Sequence, residues 1–358
     1  MANLPPESFW SGKRVLVTGH TGFKGGWLAL WLSRLGAEVT GFALPPPARP
    51  NLFEAARVSE LVDSRLGDIR DLSLFQLVGR SARPDIVLHL AAQPLVSAGY
   101  TEPVATFETN LMGTVNALQM TRDTPDARVI LVITTDKVYE ERRGRWSHVE
   151  EDSLGGHDPY SASKAACEIV AASYRDSFLD AQGVCVATCR AGNVIGGGDW
   201  SPNRLMPDVV KAWQAGDPVV LRNPSFVRPW QHVLEPLAGY LLLAQGLWEG
   251  RVQPGAFNFG PRPGHEVDVA TLVDMARQTC GLLGDWVLTD GSSLGKENPW
   301  LSLDPRKADS VLHLPSWPLE MAVERTMTWY RKHGNGHSAR KLCINDIDNF
   351  SATASSPN

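Results

Sequence analysis

Three stretches of the chain carry residue types that could do chemistry together. Gly19-His-Thr-Gly-Phe-Lys-Gly25 spaces its glycines as G-x-x-G-x-x-G. Glycine allows a tight turn and lets backbone amides approach a pyrophosphate, which then rests on the positive end of a following helix. Tyr160-Ser-Ala-Ser-Lys164 places a phenol and an amine four residues apart, on one face if the segment is helical. A tyrosine with a pKa of ~10 is a poor base at neutral pH. A neighbouring ammonium and a cationic nicotinamide ring would stabilise its phenolate. Thr135, Asp136 and Lys137 then put a hydroxyl, a carboxylate and an amine on consecutive residues. Thr135 could hold a secondary alcohol against Tyr160 while hydride passes to the nicotinamide.

These groups need elements to position them, and the hydrophobic pattern supplies them. Arg14–Thr18 is apolar and β-branched and runs into the glycine loop. Gly25–Leu35 has a broad apolar helical face, Gly36 ends it, and Glu38–Ala43 reads as a second strand. Strand, glycine turn, helix and strand open a dinucleotide-binding unit. The proline-rich 44–50 segment is a loop. Strands at Ser64–Leu66, Ile86–Leu90, Val129–Ile133 and Val184–Cys189 alternate with helices at Leu72–Ser81, Val104–Thr121 and Tyr160–Tyr174. That alternation predicts an α/β fold, a doubly wound parallel sheet of Rossmann type. Val129–Ile133 ends at Thr135–Lys137, where such sheets place their ligands.

After Arg190 the glycines, prolines and arginines break the alternation. The expected organisation is a nucleotide-binding domain over 10–190 and a smaller C-terminal substrate lobe over 191–333, interleaved with late sheet elements. A polar, weakly patterned tail occupies 334–358, frayed from Ser351 onward. At 358 residues the chain is long for one core. Its net charge of -5 gives no support for a nucleic-acid or membrane partner. No apolar run reaches the ~20 residues of a membrane span, and Met1–Trp10 lacks a signal-peptide pattern. Five scattered cysteines suit reduced thiols in a cytoplasm, and Cys185 and Cys189 lie along an apolar strand with no second ligand pair, so no metal is expected. His89, inside another strand, reads as a core histidine.

The motifs together resemble the extended short-chain dehydrogenase/reductase family, whose members act on nucleotide sugars. The resemblance runs from about Gly12 to at least Trp317. It implies NAD contacts from Gly19, Thr21, Gly22, Phe23, Lys24 and Gly25, and adenine contacts from Asp68 and Ile69. It adds Leu90, Ala91, Ala92, Asn110 and Thr134, with Tyr160 and Lys164. The second strand ends Phe42-Ala43-Leu44 without a carboxylate for the ribose, and the nearest arginine, Arg49, lies beyond three prolines. NAD is the expected cofactor.

Gly19–Trp27, Arg190–Trp200 and Arg228–Pro236 narrow the resemblance to the 4,6-dehydratases of that family, with CDP-glucose as the implied substrate. Lysine after aspartate, where related enzymes carry Asp-Glu, points the same way. Oxidation at C4 makes the C5 hydrogen acidic, so elimination needs a base at C5 and an acid at the C6 oxygen. Lys137 would be the base and Asp136 the acid, with their pKa values shifted downward and upward by burial. Thr135, Asn193, Arg204, Leu205, Arg222, Arg228 and Asn258 are the implied substrate contacts, the arginines suiting phosphate oxygens. Gln93-Pro94-Leu95 and Gly99 replace polar residues that related enzymes use near the hexose. Trp230 could be a contact or packing. The family pairs as homodimers through helices matching Val104–Thr121 and Tyr160–Tyr174, although these faces could equally pack on the sheet. An epimerase or decarboxylase would keep Thr135, Tyr160 and Lys164 with no use for Asp136 and Lys137. A non-catalytic cofactor-binding scaffold is the reading from another class.

Overall fold

The computed structural model describes residues 2–142, 144–262, 264, 266–280, 285–288 and 298–354. Its centre is a seven-stranded, wholly parallel sheet. The strands are β1 (Arg14–Thr18), β2 (Glu38–Ala43), β3 (Asp63–Leu66), β4 (Ile86–His89), β5 (Val129–Ile133), β6 (Cys185–Ala191) and β7 (Gly255–Phe259), in the order 7-6-5-4-1-2-3. The order reverses between β1 and β4, which leaves a crevice at their carboxyl ends. Val129–Ile133 is buried at every position, as a central strand covered on both faces must be.

Helices cover both faces. On one lie α1 (Phe23–Arg34) and α6 (Leu234–Trp248), on the other α2 (Leu72–Ala82), α3 (Gly113–Arg122) and α4 (Pro159–Tyr174). Residues 25–32 of α1 are all buried, because α1 is sandwiched between the sheet and later helices. Helix α5 (Leu205–Ala215), the strand Val219–Leu221 and α7 (Val269–Cys280) build a smaller layer beside the strand ends. β7 returns the chain to the sheet edge, pairing Asn258 with Arg190.

One expectation holds with a change and one is corrected. Val104–Thr121 lies within a continuous helical run, 103–122, but a wide π-turn, Glu108–Met112, interrupts its α-helical hydrogen bonding before α3 begins. The extra residue in that turn rotates Asn110 inward, where its carboxamide accepts from the Gln93 N–H at 2.8 Å and donates to Ser163 Oγ at 2.9 Å. Close approach to β3's loop follows at Gly113, where a Cβ would meet Ile69 at 2.8 Å. The tail is not irregular: after α8 (Leu319–Gly334), Ala339–Ala354 forms a helix, α9, which continues past Ser351 where fraying was expected. Its buried Cys343, Ile347 and Phe350 dock on α1, with Phe350 edge-on to Trp31 and Trp317 at 6.0 and 5.0 Å. Residues 355–358 lie outside the described residues.

Candidate active site

A cleft of about 840 Å³ opens along the strand ends, and most of the sequence-predicted residues line it. The glycine loop forms its floor. Gly19 has φ +77°, and a Cβ there would strike the Ala91 backbone at 2.9 Å. A Cβ on Gly25 would come within 2.1 Å of the Gly19 carbonyl. Only glycine fits either position, so the loop hugs β4's end and leaves space above α1's first turn. Thr18 Oγ1 accepts from the Leu90 and Ala91 N–H groups at 3.1 and 3.0 Å and fixes that wall. Behind it, His89 bonds Thr18 and Thr114 within the core; burial pushes it down to about 3, so it is a neutral structural histidine. Asp68 and Ile69 line one end of the cleft with Leu44, Pro45, Pro47 and Ala48. Arg49 is engaged by Glu54 at 2.8 Å.

The reacting end is built by β5 and α4. Alternation along β5 turns Thr134 toward α4 and Thr135 toward the cleft. Thr135 Oγ1 donates to Asp136 Oδ1 at 2.9 Å, and its hydroxyl also faces the Tyr160 phenol. Lys164, one turn after Tyr160, donates from Nζ to the Ile133 carbonyl at 2.9 Å. Its ammonium is therefore tied to the strand end rather than to the phenol. Burial pushes Tyr160 up to about 12, against the smaller opposing effects of Thr135 and the Arg204 guanidinium. A neutral tyrosine results, and it becomes a base only when further positive charge enters the cleft.

Asp136 is almost wholly enclosed, and burial raises its pKa in spite of Lys137, Thr135, Arg228 and Lys24 nearby. Among the described residues its Oδ2 has no hydrogen-bond partner. Gly192 leaves room for that oxygen, since a Cβ there would sit 3.2 Å from it. This is the environment of a carboxyl held in its protonated form. Lys137 lines the same cleft beside it. Lys24 reaches in from the glycine loop, its Nζ 3.4 Å from the Tyr240 hydroxyl, and burial pushes it down to about 8.

Asn193, Arg204, Leu205, Arg222 and Arg228 line the far part of the cleft. Arg228 is buried and donates to its neighbour's carbonyl, Val227 O, at 2.8 Å. Arg204 approaches Asp199 at 3.9 Å. Two predicted contacts do not reach the cleft. Asn110 is spent inside the helix layer, as above. Asn258 is a buried knot, accepting from the Tyr139 hydroxyl at 2.6 Å and donating to the His148 carbonyl at 2.8 Å. Trp230 is buried in the core yet also lines the cleft, whereas His232 does not line it and stands edge-on to Trp27 at 6.0 Å.

The model of the NAD dependent epimerase/dehydratase family matches residues 15–260. The CDP-glucose 4,6-dehydratase of Salmonella typhimurium is 44% identical over 332 residues, covering 91% of this chain and 92% of the relative. The chain belongs to the NAD dependent epimerase/dehydratase family. A dTDP-glucose 4,6-dehydratase from Xanthomonas campestris is 31% identical, covering 88% of this chain and 92% of its own. Two solved structures share the fold. The UDP-glucose 4-epimerase of Thermotoga maritima superimposes with a TM-score of 0.79 at 20% identity, over 89% of this chain and 99% of that one. The dTDP-glucose 4,6-dehydratase of Bacillus anthracis, in complex with NAD, gives 0.72 at 21% identity, over 89% and 96%.

The glycine loop fits the cofactor of this epimerase/dehydratase family: Gly19, Gly22 and Gly25 line the cleft, and side chains at Gly19 or Gly25 would collide with the Ala91 backbone or the Gly19 carbonyl, so glycine keeps the loop tight beneath a space at α1's first turn. Sequence reasoning missed the anchor behind the site. Glu168 accepts from Thr134 Oγ1 at 2.5 Å, Thr188 Oγ1 at 2.6 Å and Arg190 at 2.8 Å. It lies four residues beyond Lys164 on the same helix face, and that spacing was the available signal.

Proposed function

We propose that this chain is a CDP-glucose 4,6-dehydratase, converting CDP-D-glucose to CDP-4-keto-6-deoxy-D-glucose and water. The observation that carries the reading is the enclosed Asp136 beside Lys137, facing Tyr160 across Thr135 in a cleft that also holds the glycine cradle. An epimerase has no use for that acid and base. Bound at the glycine loop, NAD would supply a hydride acceptor for C4 and a hydride donor for C6. Thr135 orients the C4 hydroxyl, and Tyr160 takes its proton. Lys164 holds the end of β5 and adds positive charge beneath the phenol. Lys137 then removes the C5 proton, made acidic by the new C4 ketone, while Asp136 gives its proton to the departing C6 oxygen; when hydride adds at C6, Lys137 returns a proton to C5. Arg204 and Arg228 bind the diphosphate and keep the hexose at these groups.

The working form is a homodimer. Val104, Phe107, Met112 and Ile169 stand 70%, 36%, 48% and 60% exposed on the outer face of α4 and the helices before α3. Exposed apolar side chains clustered on adjacent helices suit a second copy of the same face. Among the described residues no helix is long and apolar enough to cross a membrane.

The test uses purified protein, NAD and nucleoside diphosphate glucoses deuterated at C4, with products followed by mass spectrometry. Loss of water from the CDP sugar with deuterium moved to C6 is the expected result. Deuterium remaining at C4 with no water lost would return the chain to the epimerase reading.

A further inference from the structure

The cleft continues past Arg204 and Arg228 between two walls. One is the first turn of α5, carrying Pro207 and Asp208. The other is Val219–Leu221 with Arg222, Asn223 and Phe226. The Asp208 N–H donates to the Arg204 carbonyl at 3.0 Å, so Asp208 sits one turn further along the same wall, about 6 Å by helix rise. If Arg204 holds a diphosphate, the nucleoside extends toward Asp208. Pro207, Val220 and Phe226 offer apolar surface for a flat ring. Asp208 is half-buried, and Arg222 is the first of the positive charges acting on it, ahead of Lys211 and opposed by Asp199. Among the described residues, no hydrogen bond or ion pair joins the side chain of Asp208 or Arg222 to another group. A half-buried carboxylate without a donor is costly to leave so, and a ligand donor would relieve it.

We infer that Asp208 and Arg222 together read the Watson–Crick edge of a cytosine base, an inference that rests on the nucleotide-sugar reading above. Cytosine presents an amino donor at N4 and acceptors at N3 and O2. A carboxylate supplies one acceptor and a guanidinium fork supplies two donors, so the pair complements that edge in order. Uracil and thymine present an acceptor at O4 and a donor at N3. Both atoms then face a side chain of the wrong kind, Asp208 half-buried and Arg222 exposed at the mouth, and a mismatch that leaves polar groups unpaired discriminates more strongly than a missing contact.

The test measures binding of CDP and UDP by calorimetry to the NAD-loaded wild type, Asp208→Asn and Arg222→Met, alongside kcat/KM for CDP-glucose and UDP-glucose. In Asp208→Asn the amide can donate to O4, so the preference for CDP over UDP should fall by about tenfold or more. Arg222→Met should weaken CDP more than UDP. NAD affinity should stay at the wild-type value in both. Equal weakening of CDP and UDP in both variants would assign these residues to ribose or diphosphate and overturn the inference, as would no change in either. A wild type that binds CDP yet dehydrates no nucleoside diphosphate glucose would instead overturn the dehydratase reading, whatever the base ratio shows.

Discussion

At the scale of single residues, the site separates groups by what surrounds them. Asp136 and Lys137 are neighbours in sequence and line the same cleft, yet Asp136 is buried against Gly192 while Lys137 is only half-buried. Burial therefore acts on the carboxyl, favouring the protonated acid. Replacing Lys137 by Met removes the proposed C5 base and nothing that touches C4. Dehydration should drop by ~10²-fold or more, while reduced cofactor accumulates on mixing with substrate in a stopped-flow absorbance trace. Full turnover in that variant would sink the base assignment. The same local logic explains what could be read beforehand. The glycine loop, Thr135 and the Tyr160/Lys164 pair are short-range patterns whose meaning depends on spacing along one turn or strand. The partners of Asn258 and Glu168 were not legible in that way, because they lie 20 to 119 residues away.

At the scale of elements, α4 is the part on which the geometry depends. Its residues 160, 164 and 168 form one face that enters the cleft, touches the end of β5 and locks onto β6. Glu168 and Arg190 are both buried, so removing one leaves the other charge uncompensated. Glu168→Ala should cost about 3–5 kcal/mol of stability, read as a lower urea midpoint, and it frees Thr134 beside Thr135, the proposed catalytic threonine. A second buried acid behaves differently. Glu235, on α6, accepts from the His232 N–H at 2.8 Å, and burial pushes it up to about 8. The folded protein holds that proton where the unfolded chain, near its ordinary value of about 4.3, has lost it. Native stability thus declines as pH rises from about 4.5 toward 8. Glu235→Gln should remove this component, so its melting temperature should rise relative to wild type across that range and level off above it. Parallel melting curves between pH 5 and 9 would show that Glu235 ionises normally. The helices themselves were only partly visible in the sequence. Periodicity located α1, α2 and α4, whereas the π-turn at Asn110 answers to a tertiary contact that no local pattern encodes. In α9 the stripe Cys343, Ile347 and Phe350 was present at helical spacing but diluted by asparagines, aspartates and serines.

At the scale of the whole molecule, the order of β4 and β1 decides where the cleft lies, and strand alternation was enough to anticipate the sheet. Assembly is a separate matter. With Val104 and Ile169 on the proposed shared face, Ile169→Glu should shift the protein from dimer to monomer in light scattering while leaving its circular dichroism unchanged. An unaltered mass would place the interface elsewhere.

The docking of α9 also joins two properties usually measured apart. This helix braces α1 through Phe350, and Arg340 on it donates to the Ala56 and Arg57 carbonyls near the cleft's proline-rich rim. The opposite end of α1 is the glycine loop proposed to hold the pyrophosphate. Should undocking of the tail shift α1, it and loading of the cofactor would be linked, and each would bias the other by an equal free energy. Resistance of the C-terminal helix to carboxypeptidase becomes a gauge of cofactor occupancy: NAD should slow its digestion, and a chain trimmed before α9 should bind NAD more weakly.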